Sequence, residues 1–108
     1  MINLTRTPTR ESLRDLREGD VIRSSLSKDW YVTSNATAEF VEVARRITPG
    51  RIAEFLVNID RVYVDSDGKP DLFGEQVTRK LFFESNSEDK SNRARYAQLD
   101  IRLRAVGI

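Results

Sequence analysis

A chain of 108 residues with neither histidine nor cysteine has given up several chemistries outright. Serine–histidine and cysteine–histidine nucleophile pairs, zinc centres built on the usual nitrogen and sulfur ligands, and disulfides are all excluded. The 18 basic and 17 acidic residues nearly cancel, so the net charge of +1 supplies no global pull toward nucleic acid or anionic membrane; any such contact must come from a local patch.

The length suits one domain over residues 1–108, with a single modest core. No segment reaches the roughly 18 apolar residues of a membrane span, and the start, Met1-Ile2-Asn3-Leu4, lacks a secretory apolar run, so a cytoplasmic protein is expected. The basic residues are 14 arginines to 4 lysines. Arginine makes bidentate and stacked contacts that lysine cannot, although a coding bias toward arginine produces the same ratio.

Thr7 and Pro8 have the character of a helix cap and first turn, predicting a helix to about Glu18 that Gly19 stops. On a helical wheel Arg6, Arg10, Arg14 and Arg17 share one arc, and Leu13 and Leu16 form a narrow apolar stripe. Strands are expected over Val21–Arg23, Trp30–Thr33 and Glu39–Ile47, with a polar loop over Ser24–Asp29 and a turn over Ser34–Thr37. Thr48-Pro49-Gly50-Arg51 supports two readings. It opens a short helix over about residues 49–57, with Ile52, Phe55, Leu56 and Ile59 at helical spacing, or it is a type II turn ahead of a strand in which Phe55, Val57 and Ile59 alternate. The helix is the favoured of the two. Strands at Arg61–Val64 and Gln76–Glu84 follow, then an exposed connection over Ser85–Arg93. Ala97–Val106 reads as a last strand, because Leu99, Ile101, Leu103 and Ala105 alternate with Asp100, Arg102 and Arg104.

The fold class is therefore mainly β (α+β): a small antiparallel barrel or curved sheet of five to six strands with an N-terminal helix. Its predicted core is Leu13, Leu16, Val21, Ile22, Trp30, Val32, Val41, Val43, Ile52, Phe55, Leu56, Val62, Val77, Leu81, Phe83, Leu99, Ile101 and Leu103.

Candidate contact residues are mostly arginines. Arg10, Arg14 and Arg17 on one helix face have the chemistry to neutralise phosphates, although Glu11, Asp15 and Glu18 beside them make local ion pairing the simpler account. Arg93, Arg95, Arg102 and Arg104 would lie before and on the outer face of the last strand, where basic residues also guard against edge-to-edge association. Trp30 and Tyr31 point to opposite faces of their strand, which makes Trp30 the core anchor and Tyr31 the rim residue available for base stacking. Asp65, Asp67 and Asp71 around Gly68 fail the EF-hand pattern, since Lys69 and Pro70 occupy the fifth and sixth positions; a turn is expected there, with no metal. No spacing singles out a catalytic carboxylate pair, and no cofactor motif is present.

Leu16-Arg17-Glu18-Gly19-Asp20-Val21-Ile22 followed by Trp30-Tyr31-Val32 resembles the opening of Tudor-type and KOW-type small β-barrels, over residues 16–32 only. The resemblance implies a barrel that binds RNA, DNA or peptides. The function expected is a non-catalytic macromolecule-binding module with a protein partner, an adaptor, regulator or inhibitor of the sort found in phages and other mobile elements. Two alternatives stand beside it: nucleic-acid binding through the arginine faces, and a self-assembling subunit, or homo-oligomer, that covers the doubly apolar third strand. No membrane partner is expected.

Overall fold

Glycine turns and runs of β-branched and aromatic residues divide the chain into short strands, and one capped polar segment makes the one long helix among the described residues. The computed structural model describes residues 5–6 (backbone), 12–72, 74 and 76–108. Strands β1 (Thr5–Arg6), β2 (Val21–Ser24), β3 (Lys28–Ser34), β4 (Phe40–Thr48), β5 (Arg51–Asn58), β6 (Tyr63–Val64), β7 (Pro70–Asp71) and β8 (Val77–Glu84) precede helix α1 (Lys90–Ala105). The main sheet has the order β1-β2-β3-β4-β5-β8, and β6 and β7 form a separate ribbon. β2 to β5 are a meander of antiparallel hairpins, β8 returns antiparallel to β5, and the two-residue β1 runs parallel to β2. The fold is mainly β as expected, but the sheet is open: β1 and β8 are its edges, so of the expected barrel or curved sheet the barrel, which the Tudor and KOW resemblance also implied, does not close. Among the described residues no helix is long and apolar enough to cross a membrane.

An apolar cluster sits on each face of the sheet. On one, Tyr31, Ala44 and Ile52 pack beneath Tyr96, Leu99 and Leu103 of α1. On the other, Ile22, Trp30, Val32, Val41, Val43, Ala53, Phe55 and Val57 meet Leu13 and Leu16 and then Ile59, Val62 and Leu72 from the excursion around the ribbon. Trp30 is the anchor, and its Nε1 donates to Ser24 Oγ at 3.1 Å.

Three expected elements differ. The N-terminal helix is not borne out: residues 7–11 lie outside the described residues, and Ser12–Asp15 forms only a 3-10 turn that docks Leu13 and Leu16. It ends because Asp20 Oδ2 accepts from Arg17 N–H at 2.9 Å and Gly19 takes φ +94°. The helix over 49–57 is β5, with Gly50 at the φ of +83° that a type II turn needs at its third position. β5 is buried on both faces, so its apolar residues occur at both parities and match helical spacing by accident. The last strand is helix α1. Asp89 Oδ1 caps it by accepting from Ser91 N–H at 2.8 Å. At its end Gly107 N–H donates to Arg104 O and Ile108 N–H to Leu103 O, with Gly107 at φ +80°, which is the Schellman arrangement. In a helix Tyr96, Leu99, Leu103 and Val106 share a face, so Ile101 leaves the core and is 70% exposed. Leu81 is also exposed, while Leu56, Val77 and Phe83 are half-buried.

The β2–β3 hairpin turns through Leu26 and Ser27, both non-glycine residues with positive φ (62° and 55°), and Leu26 is 80% exposed. An L-residue in this conformation costs about 1–2 kcal/mol, and asparagine tolerates it better. Leu26→Asn is expected to raise the unfolding free energy by about 1 kcal/mol in urea denaturation; a neutral or destabilising result would show that the leucine side chain stabilises this turn.

Candidate functional site

Strand register decides which side chains share a face. Arg45 of β4 opposes Ala53 of β5, which opposes Phe82 of β8. The adjacent row is Val43, Phe55 and Lys80, and on the other side Arg51 opposes Glu84. These rows lie on the face away from α1. With strands roughly 4.8 Å apart, Arg45 and Phe82 stand about 10 Å apart across it.

All three cations rest on rings. Arg45 Cζ is 5.8 Å from the Trp30 ring centroid, Arg51 Cζ is 4.5 Å from that of Phe82, and Lys80 Nζ is 5.8 Å from that of Phe55. Phe55 meets Trp30 at 5.2 Å and Phe82 edge-on at 6.2 Å, so the cations stand on one connected aromatic layer. Phe82 is 39% exposed and the Arg51 side chain 44%. Arg45 and Lys80 have no ion-pair partner among the described residues, and Arg45 Nε is buried without a hydrogen-bond partner. Arg51 Nε lies 3.5 Å from Glu84 Oε1, an ion pair without hydrogen-bond geometry. Lys28, with the same strand parity as Trp30, extends the charge, and Glu84 is the one carboxylate among the described strand residues of this face.

Phe82 is also fixed from the strand edge. Asn92 Nδ2 donates to Phe82 O and Asn92 Oδ1 accepts from Glu84 N–H, each at 2.9 Å. A side-chain amide thus takes the place of the next strand's peptide group on the free edge of β8.

The arginines singled out from the sequence are placed elsewhere and are largely occupied. Arg10 lies outside the described residues. Arg14 pairs with Asp60 and donates through Nε to Ala38 O. Arg17 is exposed, and without the helix no arginine arc exists. Arg93 donates to Ser87 O at 2.6 Å, Arg95 pairs with Glu54 at 2.8 Å, Arg102 with Glu18 at 3.1 Å and Arg104 with Asp100 at 3.0 Å. At 100° per residue these four divide between two sides of α1 and form no single face. Tyr31 is core beneath the helix rather than a rim residue, which removes it as a stacking platform. Asp65 Oδ1 accepts from the N–H groups of Asp67 and Lys69, making the expected turn of the acidic loop.

The sequence offered one signal for the stacked cations: Arg45 keeps the parity of Val41 and Val43, and Lys80 that of Phe82. Reading it required knowing which strands are neighbours. Among the described residues there is no pocket and no group of three or more metal-ligating side chains, so the candidate site is an open surface. No protein family, curated protein or solved structure matches this chain.

Charge pairs fasten α1 to the sheet. Glu54 is only 5% exposed and receives Arg95 through Nε and Nη2. Asp100 is held between Arg46 at 2.7 Å and Arg104 at 3.0 Å, and Arg46 also donates to Tyr96 Oη. Burial pushes the Asp100 carboxyl up, but hydrogen bonds from Arg104 and Arg46, with their charges, outweigh it and hold the carboxyl below its ordinary value.

Two outcomes follow from these pairs. Arg95→Ala strands a buried carboxylate and is expected to cost roughly 2–3 kcal/mol, against less than about 1 kcal/mol for Arg104→Ala on the exposed helix surface; equal losses in urea melts would remove the distinction. A carboxylate with a depressed folded value stabilises above its unfolded value, near 3.8, and loses that contribution as pH falls through the folded one. The stability deficit of Asp100→Asn is therefore expected to be full at pH 7 and to shrink below about pH 4. A deficit unchanged in acid would show that the charge of Asp100 is not what stabilises.

Proposed function

We propose that this chain is a non-catalytic binding module that engages an anionic macromolecule through the open face of β4, β5 and β8. The observation that carries the reading is the set of three cations, Arg45, Arg51 and Lys80, each stacked on an aromatic ring of one connected layer. Stacking holds each cation in position without neutralising it: Arg45 and Lys80 keep their charge for a carboxylate or phosphate, while Arg51 shares its own with Glu84. The cost of ordering a flexible side chain on binding is largely met in the fold itself.

The expectation of a macromolecular partner is kept, and its contact surface moves from the helix arginines to the sheet. The motive for a self-assembling subunit weakens, because doubly apolar β4 finds cover for both faces within one chain: Val41 and Val43 on one side, Ala44 on the other.

Elution from a heparin column at neutral pH tests the reading. The native chain is expected to be retained into moderate salt despite its small net charge, and Arg45→Ala/Arg51→Ala/Lys80→Ala to elute near the void. Arg93→Ala/Arg104→Ala, removing cations from α1, is expected to behave as the native protein. Equal retention of the native and triple-variant proteins would overturn the assignment of the face.

A further inference from the structure

We infer that the anionic partner is a single-stranded nucleic acid, with a base stacked on the Arg51–Phe82 pair and the flanking phosphates held by Arg45 and Lys80. The inference rests on the reading of this face as an anion-binding surface and adds the partner's class.

An acidic peptide and a nucleic-acid strand make different demands. A carboxylate needs charge and donors. A nucleotide also presents a flat π surface beside each phosphate, and it is held best where a planar side chain lies parallel to the base with cations on either side. Arg51 provides such a plane. Its Cζ lies 4.5 Å from the Phe82 ring centroid, its side chain is 44% exposed with Nε buried, and Glu84 lies 3.5 Å from that Nε. Phe82 beneath it is braced by the edge of Phe55 and by the Asn92 amide on its carbonyl, so the platform exists before any ligand arrives. Arg45 lies in the same row as Phe82, one strand beyond Ala53, and Lys80 lies two residues along β8. The cations thus flank the platform on two sides at a spacing of about 7–10 Å, which a single strand can follow. A duplex buries its base faces and cannot use the stack.

The test is fluorescence anisotropy with a labelled oligothymidylate of roughly 12 nucleotides, with the matching duplex and polyglutamate as comparison probes. The single strand is expected to bind more tightly than either, with a log–log salt slope of about −1.4 for two phosphate contacts. Arg51→Lys keeps the charge and loses the plane, so it is expected to weaken single-strand binding about tenfold while leaving the slope and polyglutamate binding unchanged. Phe82→Leu, chosen to keep apolar volume, is expected to do the same, with thermal denaturation confirming the fold. Arg45→Ala or Lys80→Ala is expected to reduce the slope by about 0.7 each. If polyglutamate or duplex binds as well as the single strand, or Arg51→Lys is without effect, the nucleic-acid inference is overturned and the anion-binding face stands. If none of the three probes binds, both are overturned.

Discussion

The docking of α1 on one face of the sheet is the constraint from which the rest follows. Tyr96, Leu99 and Leu103 cover Tyr31, Ala44 and Ile52, and that leaves the opposite face to be covered by whatever chain remains. The remaining chain is short. The Ser12–Asp15 turn and the excursion through Ile59, Val62 and Leu72 cover the part of the sheet around Trp30 and Val41. Toward β8 this cover is incomplete, and Lys80 and Phe82 are exposed. With one long helix among the described residues, both faces stay partly open at β8, where Leu81 on the helix side and Phe82 on the other are exposed.

The same constraint accounts for three of the arginines. The helix buries a narrow apolar face, and charge pairs along its margins set where it sits. Arg95 reaches buried Glu54, Arg46 reaches both Asp100 and Tyr96, and Arg102 reaches Glu18. Guanidinium groups suit this seam because they deliver several donors in a fixed plane. Two of the arginines read from sequence as phosphate contacts, Arg95 and Arg102, are instead part of the fastening of the helix.

This explains what was legible in the sequence. Period-two patterns with turn glycines placed β2, β3, β4 and β8, and the glycine at 19 marked a chain reversal, because those signals are local. The failures share one physical cause: a segment whose apolar pattern is set by its neighbours. Double-sided burial made β5 match helical spacing. Exposure of Ile101 completed a false alternation in α1, although Asp89 before it and Gly107 after it carried the cap and stop signals of a helix. The candidate site was least legible of all. Arg45, Arg51, Lys80 and Phe82 are spread over 38 positions of sequence and adjoin only through the pairing of β4 with β5 and β5 with β8.

An exposed phenylalanine in an edge strand is a liability, since Leu81-Phe82-Phe83 in a strand with one free edge is the kind of segment that recruits other chains. The fold limits the hazard in specific ways. Arg79 and Lys80 precede the apolar run and Glu84 follows it, Asn92 occupies the outward Phe82 carbonyl and Glu84 N–H, and Arg51 lies over the exposed ring. A polar residue at position 82 would remove the hazard more simply, at the cost of the surface on which Arg51 stacks. Retaining the ring and guarding it is the arrangement expected if the stack is used, because the protections block strand pairing along the edge while leaving Arg51 and Phe82 each partly exposed.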